Sequence, residues 1–106
     1  MKDKIKFEFL DEERTMIVES LNLLRNYLTA QDRATESIDE IILKFENTCK
    51  VEFDKIELGI TINALDNYRH KLKSMNQSRT MVNEVLLRLI DQDSKKKSIY
   101  KDTNER

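Results

Sequence analysis

Tyr68, Arg69, His70, Lys73 and Arg79, with Lys71 among them, form the only basic and aromatic cluster of this sequence. Such a set can serve phosphate backbones, since several fixed cations together neutralise several phosphates. On a helix, however, 69 and 73 share a face and 71 does not, and no glycine-rich loop cradles an anion. The competing reading is a solvated helix end, where Lys71 and Lys73 complement the negative pole of the helix dipole. These five residues are the candidates for partner binding, whether the partner is a nucleic acid or a protein carboxylate.

Other constellations are thinner. His70 is the only histidine, and Asp66 stands at helical spacing from it with no third ligand nearby. Asp32, Glu36, Asp39 and Glu40 gather carboxylates, but the second half offers Thr80 and Glu84 instead, so no symmetric two-metal site emerges. The Glu-x-x-His pair of di-iron bundles is absent. Cys49 is the only cysteine, which excludes an intrachain disulfide and fits a passive thiol. Neither a nucleophile–base arrangement nor a phosphate loop occurs. The expectation is a non-enzymatic protein without metal or cofactor.

Arg25 and Arg69 occupy equivalent places at the edge of an apolar stripe. Each follows one repeated leucine by four residues and precedes another by three. Turn geometry sets Arg25 level with Asp39 and Glu40, and Arg69 level with Asn83 and Glu84. We expect structural ion pairs, Arg25 with Glu40 and Arg69 with Glu84, bracing each helical hairpin. The functional alternative is an arginine held for a partner's carboxylate or phosphate.

These positions are tied together by an internal repeat. Residues 7–45 align without gaps on residues 51–89, at an offset of 44, and eight of the 39 pairs are identical. The identities include Phe9/Phe53, Glu13/Glu57, Leu21/Leu65, Arg25/Arg69 and Leu43/Leu87; Lys44/Arg88 keeps its charge. Ile17, Leu21, Leu24 and Leu28 follow helical spacing in the first copy, and Ile60, Ile62, Leu65, Tyr68 and Leu72 repeat it. Ile38, Ile41, Ile42 and Phe45, then Val82, Val85, Leu86 and Leu89, give a second stripe per copy. Ile5, Phe7 and Phe9, like Val51 and Phe53, alternate with polar residues as short strands do. Asp54 and Glu57 form a capping box, stapled by Phe53 and Leu58; Phe9, Asp11 and Glu13 give a looser version.

The predicted helices span about 11–29 and 55–74, each followed by a turn at 31–33 or 76–77 and a shorter helix. The expected fold is all-α: two tandem helical hairpins closing as a pseudo-twofold four-helix bundle, with lead-ins able to pair as a two-stranded ribbon. Residues 1–92 would make one domain, and 93–106 a polar tail, frayed or disordered. Leu23, Tyr27, Leu43 and Leu87 lie off the main stripes. They either widen a shared core or form an exposed seam for another copy or a target protein.

Composition supports a helical chain: 106 residues, 37% charged, one glycine and no proline. Net charge is −1, so global charge favours neither nucleic acid nor membrane. The first copy holds nine acids and four bases, the second five acids and six bases over 51–90. The amino terminus is charged and lacks an apolar run of signal length, which predicts a cytoplasmic protein without a membrane span.

The segment Leu-Asn-Leu-Leu-Arg-Asn-Tyr-Leu at 21–28, followed by Ser-Ile-Asp-Glu-Ile-Ile-Leu-Lys at 37–44, resembles small helical proteins carried by phages and mobile elements of Gram-positive bacteria. In these a segment of about 40 residues occurs once or twice. Some small proteins of that setting inhibit host defence enzymes by binding them. The resemblance therefore implies a phage-encoded inhibitor or regulator that binds a host protein in the host cytoplasm, with a homodimer in reach. The second copy departs at Asp66-Asn67-Tyr68, so the copies need not share a surface role. The alternative is a nucleic-acid-binding accessory protein using the basic cluster.

Overall fold

The computed structural model describes the backbone of residues 4–104 and the side chains of residues 4–92. Along the chain lie β1 (Ile5–Glu8), α1 (Asp11–Ala30), α2 (Glu36–Lys44), β2 (Lys50–Phe53), α3 (Lys55–Ser74) and α4 (Thr80–Asn104). The fold is mostly helical with a small antiparallel sheet, so the all-α expectation gains a real ribbon.

Alternation makes the lead-ins strands. Phe7, Val51 and Phe53 turn into the core, while Lys6, Glu8, Lys50 and Glu52 stay exposed. Ile5 opposes Phe53, Lys6 opposes Glu52, Phe7 opposes Val51 and Glu8 opposes Lys50. The Phe9 N–H adds one more bond to the Cys49 carbonyl at 2.9 Å.

Both long helices begin one residue after a strand-to-helix cap, but the caps are unequal. Asp54 Oδ1 accepts the Glu57 N–H at 2.8 Å, and Glu57 Oε1 accepts the Asp54 N–H at 2.9 Å. In the first copy Glu13 Oε1 accepts the Leu10 N–H at 2.9 Å. Leucine has no oxygen to return the bond, so only half of the box exists there.

Both long helices also end alike. Arg33 N–H reaches the Leu28 carbonyl and Asp32 N–H the Thr29 carbonyl; Gln77 and Asn76 do the same to Leu72 and Lys73. This double bond closes a helix when the next residue takes a left-handed conformation. Asp32 and Asn76 take it, at φ 60° and 59°. Asp and Asn bear that conformation better than most residues, which is why the hairpins turn here without glycine.

One buried cluster draws on both halves of the chain. Leu21, Leu65, Ile17, Ile41, Leu58, Val85 and Leu89 are fully buried. Phe7, Phe9, Phe45 and Phe53 join the ribbon to it, with neighbouring ring centroids 5.7–6.1 Å apart. The copies fill the core differently. Leu58 is buried where the first copy has half-buried Arg14, and Thr61 is buried where it has Ile17. The Thr61 hydroxyl is satisfied by the Glu57 carbonyl at 2.9 Å. Ile60, Ile62, Tyr68 and Leu72, expected as the stripe, only border the core.

Two ion pairs run from one copy to the other. Arg88 Nη2 lies 2.6 Å from Glu13 Oε2, and Lys44 Nζ lies 3.3 Å from Glu57 Oε1. Arg88 also donates to the Glu8 carbonyl at 3.5 Å, and Lys44 to the Glu52 carbonyl at 3.0 Å. These four contacts sit at equivalent positions, each tying a strand and a helix start to the second helix of the other hairpin. At the carboxyl end the α4 backbone is helical to Asn104. The tail's side chains, Lys95, Lys96 and Lys97 among them, lie outside the described residues.

A candidate interaction groove on the second hairpin

The outer faces of α3 and α4 frame a groove of about 570 Å³. Gly59, Ile62, Asn63, Asp66 and Arg69 recur at three- and four-residue spacing and form the α3 wall. Asn83, Leu86, Leu87 and Ile90 form the α4 wall. One end is therefore apolar and the other carries the charged pair. Leu87 is 67% exposed and Ile90 43%. They lie off the stripe of Val82, Val85, Leu86 and Leu89 that faces the core and add apolar surface to the groove.

Gly59 is the only glycine of the chain. It is exposed inside α3, no backbone geometry demands it, and a Cβ built on it would meet nothing within 4 Å. A glycine in a helix interior costs about 1 kcal/mol relative to alanine. The cost has no return within the chain.

The charged end departs from the expected ion pairs. Arg25 Nε lies 2.7 Å from Asp39 Oδ1, so the first hairpin is braced by Asp39, while Glu40 is exposed. Arg69 Nη2 lies 2.7 Å from Asp66 Oδ1, on its own helix, and Glu84 is exposed on α4. The reason is an exchange of charge between positions: the first copy has Asn22 and Asp39 where the second has Asp66 and Asn83. The carboxylate has moved from across the hairpin to the arginine's own helix. Arg69 Nε is left buried without a hydrogen-bond partner.

The basic cluster is scattered by the fold. Tyr68 turns to α1, its hydroxyl donating to Glu19 Oε1 at 3.4 Å. Burial first, and then the Glu19 carboxylate, push its phenol above the ordinary range. Arg69 lines the groove, while His70 is exposed with Nε2 3.7 Å from Asp66 Oδ2. Lys73 is exposed, and Arg79 donates to the Gln77 carbonyl at 3.3 Å within the turn. The structure thus brings together Arg69 and His70, around an acid.

The carboxylates of the first turn are likewise dispersed. Asp39 is taken by Arg25 and by the Thr35 hydroxyl at 3.3 Å. Among the described residues no three His, Cys, Asp or Glu side chains come together as metal ligands. Cys49 donates to Asp11 Oδ1 at 3.3 Å; partial burial and that carboxylate push its thiol up, away from the reactive thiolate.

Of the residues set off the main stripes, Tyr27 is 59% exposed and Leu43 62%. With Leu87 they form no part of the buried core, which overturns the shared-core expectation for them. Leu23 and Tyr27 instead line a shallow depression of about 490 Å³ with Leu24, Asn67, Tyr68 and Lys71. No described helix is long and apolar enough to cross a membrane. No protein-family model, curated protein or solved structure matches the chain.

Proposed function

We propose that this chain is a non-enzymatic protein-binding module whose contact surface is the outer face of the second hairpin. The observation that carries this reading is the groove itself: exposed Leu87 and Ile90 beside a glycine that costs helix stability and is used by nothing inside the chain. In its concrete form the module is an inhibitor or regulator of a host protein in the host cytoplasm. That form rests on the resemblance of 21–28 and 37–44 to proteins of phages and mobile elements.

The scaffold we infer is a duplicated hairpin closed as a four-helix bundle about an approximate twofold. Three features support it. Phe7 pairs with Val51, its own equivalent, at the centre of the ribbon. The helix-ending bonds recur at the same offset. The Glu13–Arg88 and Glu57–Lys44 pairs exchange partners between copies as a twofold requires.

Affinity capture from host cytoplasm, read by mass spectrometry, tests the reading. The wild-type chain should retain a defined protein, and Leu87→Glu with Ile90→Glu should lose it. Equal capture by both, or retention of DNA that fades with added salt, would overturn it. Asp66 beside both Arg69 and His70 weighs against the nucleic-acid outcome.

A further inference from the structure

We propose that the outer edge of β1 takes an extended segment of a partner protein as a third strand of the ribbon, and that this segment reads base, apolar, acid in chain order. The inference goes beyond the groove and does not depend on it.

The ribbon's register decides which backbone groups face outward. The Phe9 N–H bonds to the Cys49 carbonyl, so by the period of two the Phe7–Val51 and Ile5–Phe53 pairs turn their groups inward. The N–H and C=O groups of Lys6, Glu8, Lys50 and Glu52 then lie along the two outer edges. These edges are unequal. On β2 the Lys50 N–H donates to Thr48 Oγ1 at 3.1 Å, and the Thr48 hydroxyl donates to the Lys50 carbonyl at 3.5 Å. Lys44 Nζ donates to the Glu52 carbonyl at 3.0 Å. On β1 only the Glu8 carbonyl is touched, by Arg88 at 3.5 Å. The Lys6 N–H, the Lys6 carbonyl and the Glu8 N–H have no partner among the described residues. The equivalent of Thr48 in the first copy is Lys4, which has no hydroxyl to close the edge in the same way.

A strand edge with unmet donors and acceptors is a template for another extended chain. Side chains set which chain. An antiparallel arrival puts one residue opposite Lys6 and the residue two before it opposite Glu8. Glu8 makes no ion pair among the described residues, and Lys6 meets Glu52 only at 3.8 Å with its side chain 82% exposed. Cross-strand charge therefore favours an acid opposite Lys6 and a base opposite Glu8. The residue between them falls on the core side, next to Phe7, and is apolar. β2 meets the inner edge with this same pattern: Lys50 opposite Glu8, Val51 opposite Phe7 and Glu52 opposite Lys6. The β1 strand of a second copy also reads base, apolar, acid, but a twofold pairing would bring two Arg88 guanidiniums to the seam, one at each Glu8 carbonyl. A single extended segment meets only one.

Nuclear magnetic resonance titration of the full, nitrogen-15-labelled chain tests the proposal. The probes are the capped peptide Thr-Thr-Lys-Val-Glu-Val-Thr and its charge-swapped twin Thr-Thr-Glu-Val-Lys-Val-Thr. The first should shift the amide signals of Lys6 and Glu8 and leave those of Lys50 and Glu52 in place. The twin should bind about tenfold more weakly, since two cross-strand charge pairs turn repulsive. Lys6→Pro should abolish binding, because it removes an outward N–H that the ribbon does not use. Lys4→Thr should weaken binding about tenfold by closing the edge as Thr48 does, at the worth of one or two hydrogen bonds. Circular dichroism checks that both variants are folded.

No shift at millimolar peptide would overturn the inference. So would equal binding of the two peptides, equal shifts on the β2 edge, or binding that survives Lys6→Pro. Shifts of Lys6 and Glu8 that follow protein concentration without peptide would put a second copy in the partner's place and overturn it too. Leu87→Glu with Ile90→Glu should leave peptide binding unchanged, so the groove and the strand edge fail separately.

Discussion

The two hairpins are built from one pattern and present different outer faces. In the first, Arg25 reaches across to Asp39 and the wall carries Glu19 and Glu46. In the second, Arg69 folds back on Asp66, and Asn63 and Ile90 replace the two glutamates. The inner faces differ by compensating exchanges, Leu58 for Arg14 and Thr61 for Ile17, within one buried cluster, while the outer faces differ in charge and polarity. Inner residues must fill one shared volume, so they change only in step with their neighbours. Outer residues are under less of that constraint, and those of the second hairpin line an apolar groove.

The comparison breaks first if the inner faces are not one core. Leu21 and Leu65 are both fully buried in the same cluster. Leu21→Ala and Leu65→Ala should each cost roughly 3 kcal/mol. That lowers the melting temperature on the order of 15 °C for a chain of this size. Scanning calorimetry should show a single transition in both variants. Two transitions, or a loss confined to one half in hydrogen exchange, would make the halves separate bodies.

The cross-copy ion pairs come next and should be unequal. The Glu13 side chain is 8% exposed and its arginine lies 2.6 Å away, with Arg88 also 5.4 Å from the Phe9 ring centroid. The Glu57 side chain is 18% exposed and its lysine lies at 3.3 Å. Arg88→Ala should cost about 2 kcal/mol, because it strands a buried carboxylate. Lys44→Ala should cost about 1 kcal/mol, because water reaches Glu57 more easily. Urea denaturation of both variants measures the order, and a larger loss at Lys44 would contradict it.

Smaller still is the contrast between the two helix starts. Asp54→Ala should cost about 1 kcal/mol by removing the complete box. Leu10→Ser should gain on the order of 0.5 kcal/mol by supplying the missing half. Leu10 is 63% exposed, so little burial is forfeited in the exchange. A destabilised Leu10→Ser would mean that its side chain packs against something the cap reading ignores.

Much of this scaffold was legible in the sequence, for a physical reason. A period of two in Ile5–Phe9 and a period near 3.6 in Ile38–Phe45 each report which face is buried; α3 spans 55–74 as predicted, between the Asp54–Glu57 box and the turn at 76–77, but its buried face is Leu58, Thr61, Ala64 and Leu65. The residues of the cross-copy ties are marked too, since Glu13/Glu57 are identical and Lys44/Arg88 keep their charge, but their pairing is not. Spacing along a helix says which residues share a face. It does not say which residue on another element meets them, and these pairs are close only once the ribbon closes. The groove was half visible. Leu87 stands off the core stripe and Gly59 breaks helix propensity, but only packing shows them on one face. Substitution of Leu58 for Arg14 and of Thr61 for Ile17 carried no periodic signal, because the core there depends on volume shared between copies.

The finest test of the divergence is to undo the exchange of charge. Asn83→Asp returns to α4 the carboxylate that the first hairpin holds at Asp39. If the hairpins still share one backbone geometry there, Arg69 should divide itself between Asp66 and the new acid, and its unpartnered Nε gains an acceptor. Exposed pairs of this kind yield about 0.5 kcal/mol. A double-mutant cycle of Asn83→Asp with Arg69→Ala should therefore give a coupling of that size, matched by the cycle of Asp39→Asn with Arg25→Ala. A coupling at 25 and 39 with none at 69 and 83 would show that Asp66 has fixed the second arginine. The outer face of the second hairpin would then have been rebuilt in its geometry as well as in its chemistry.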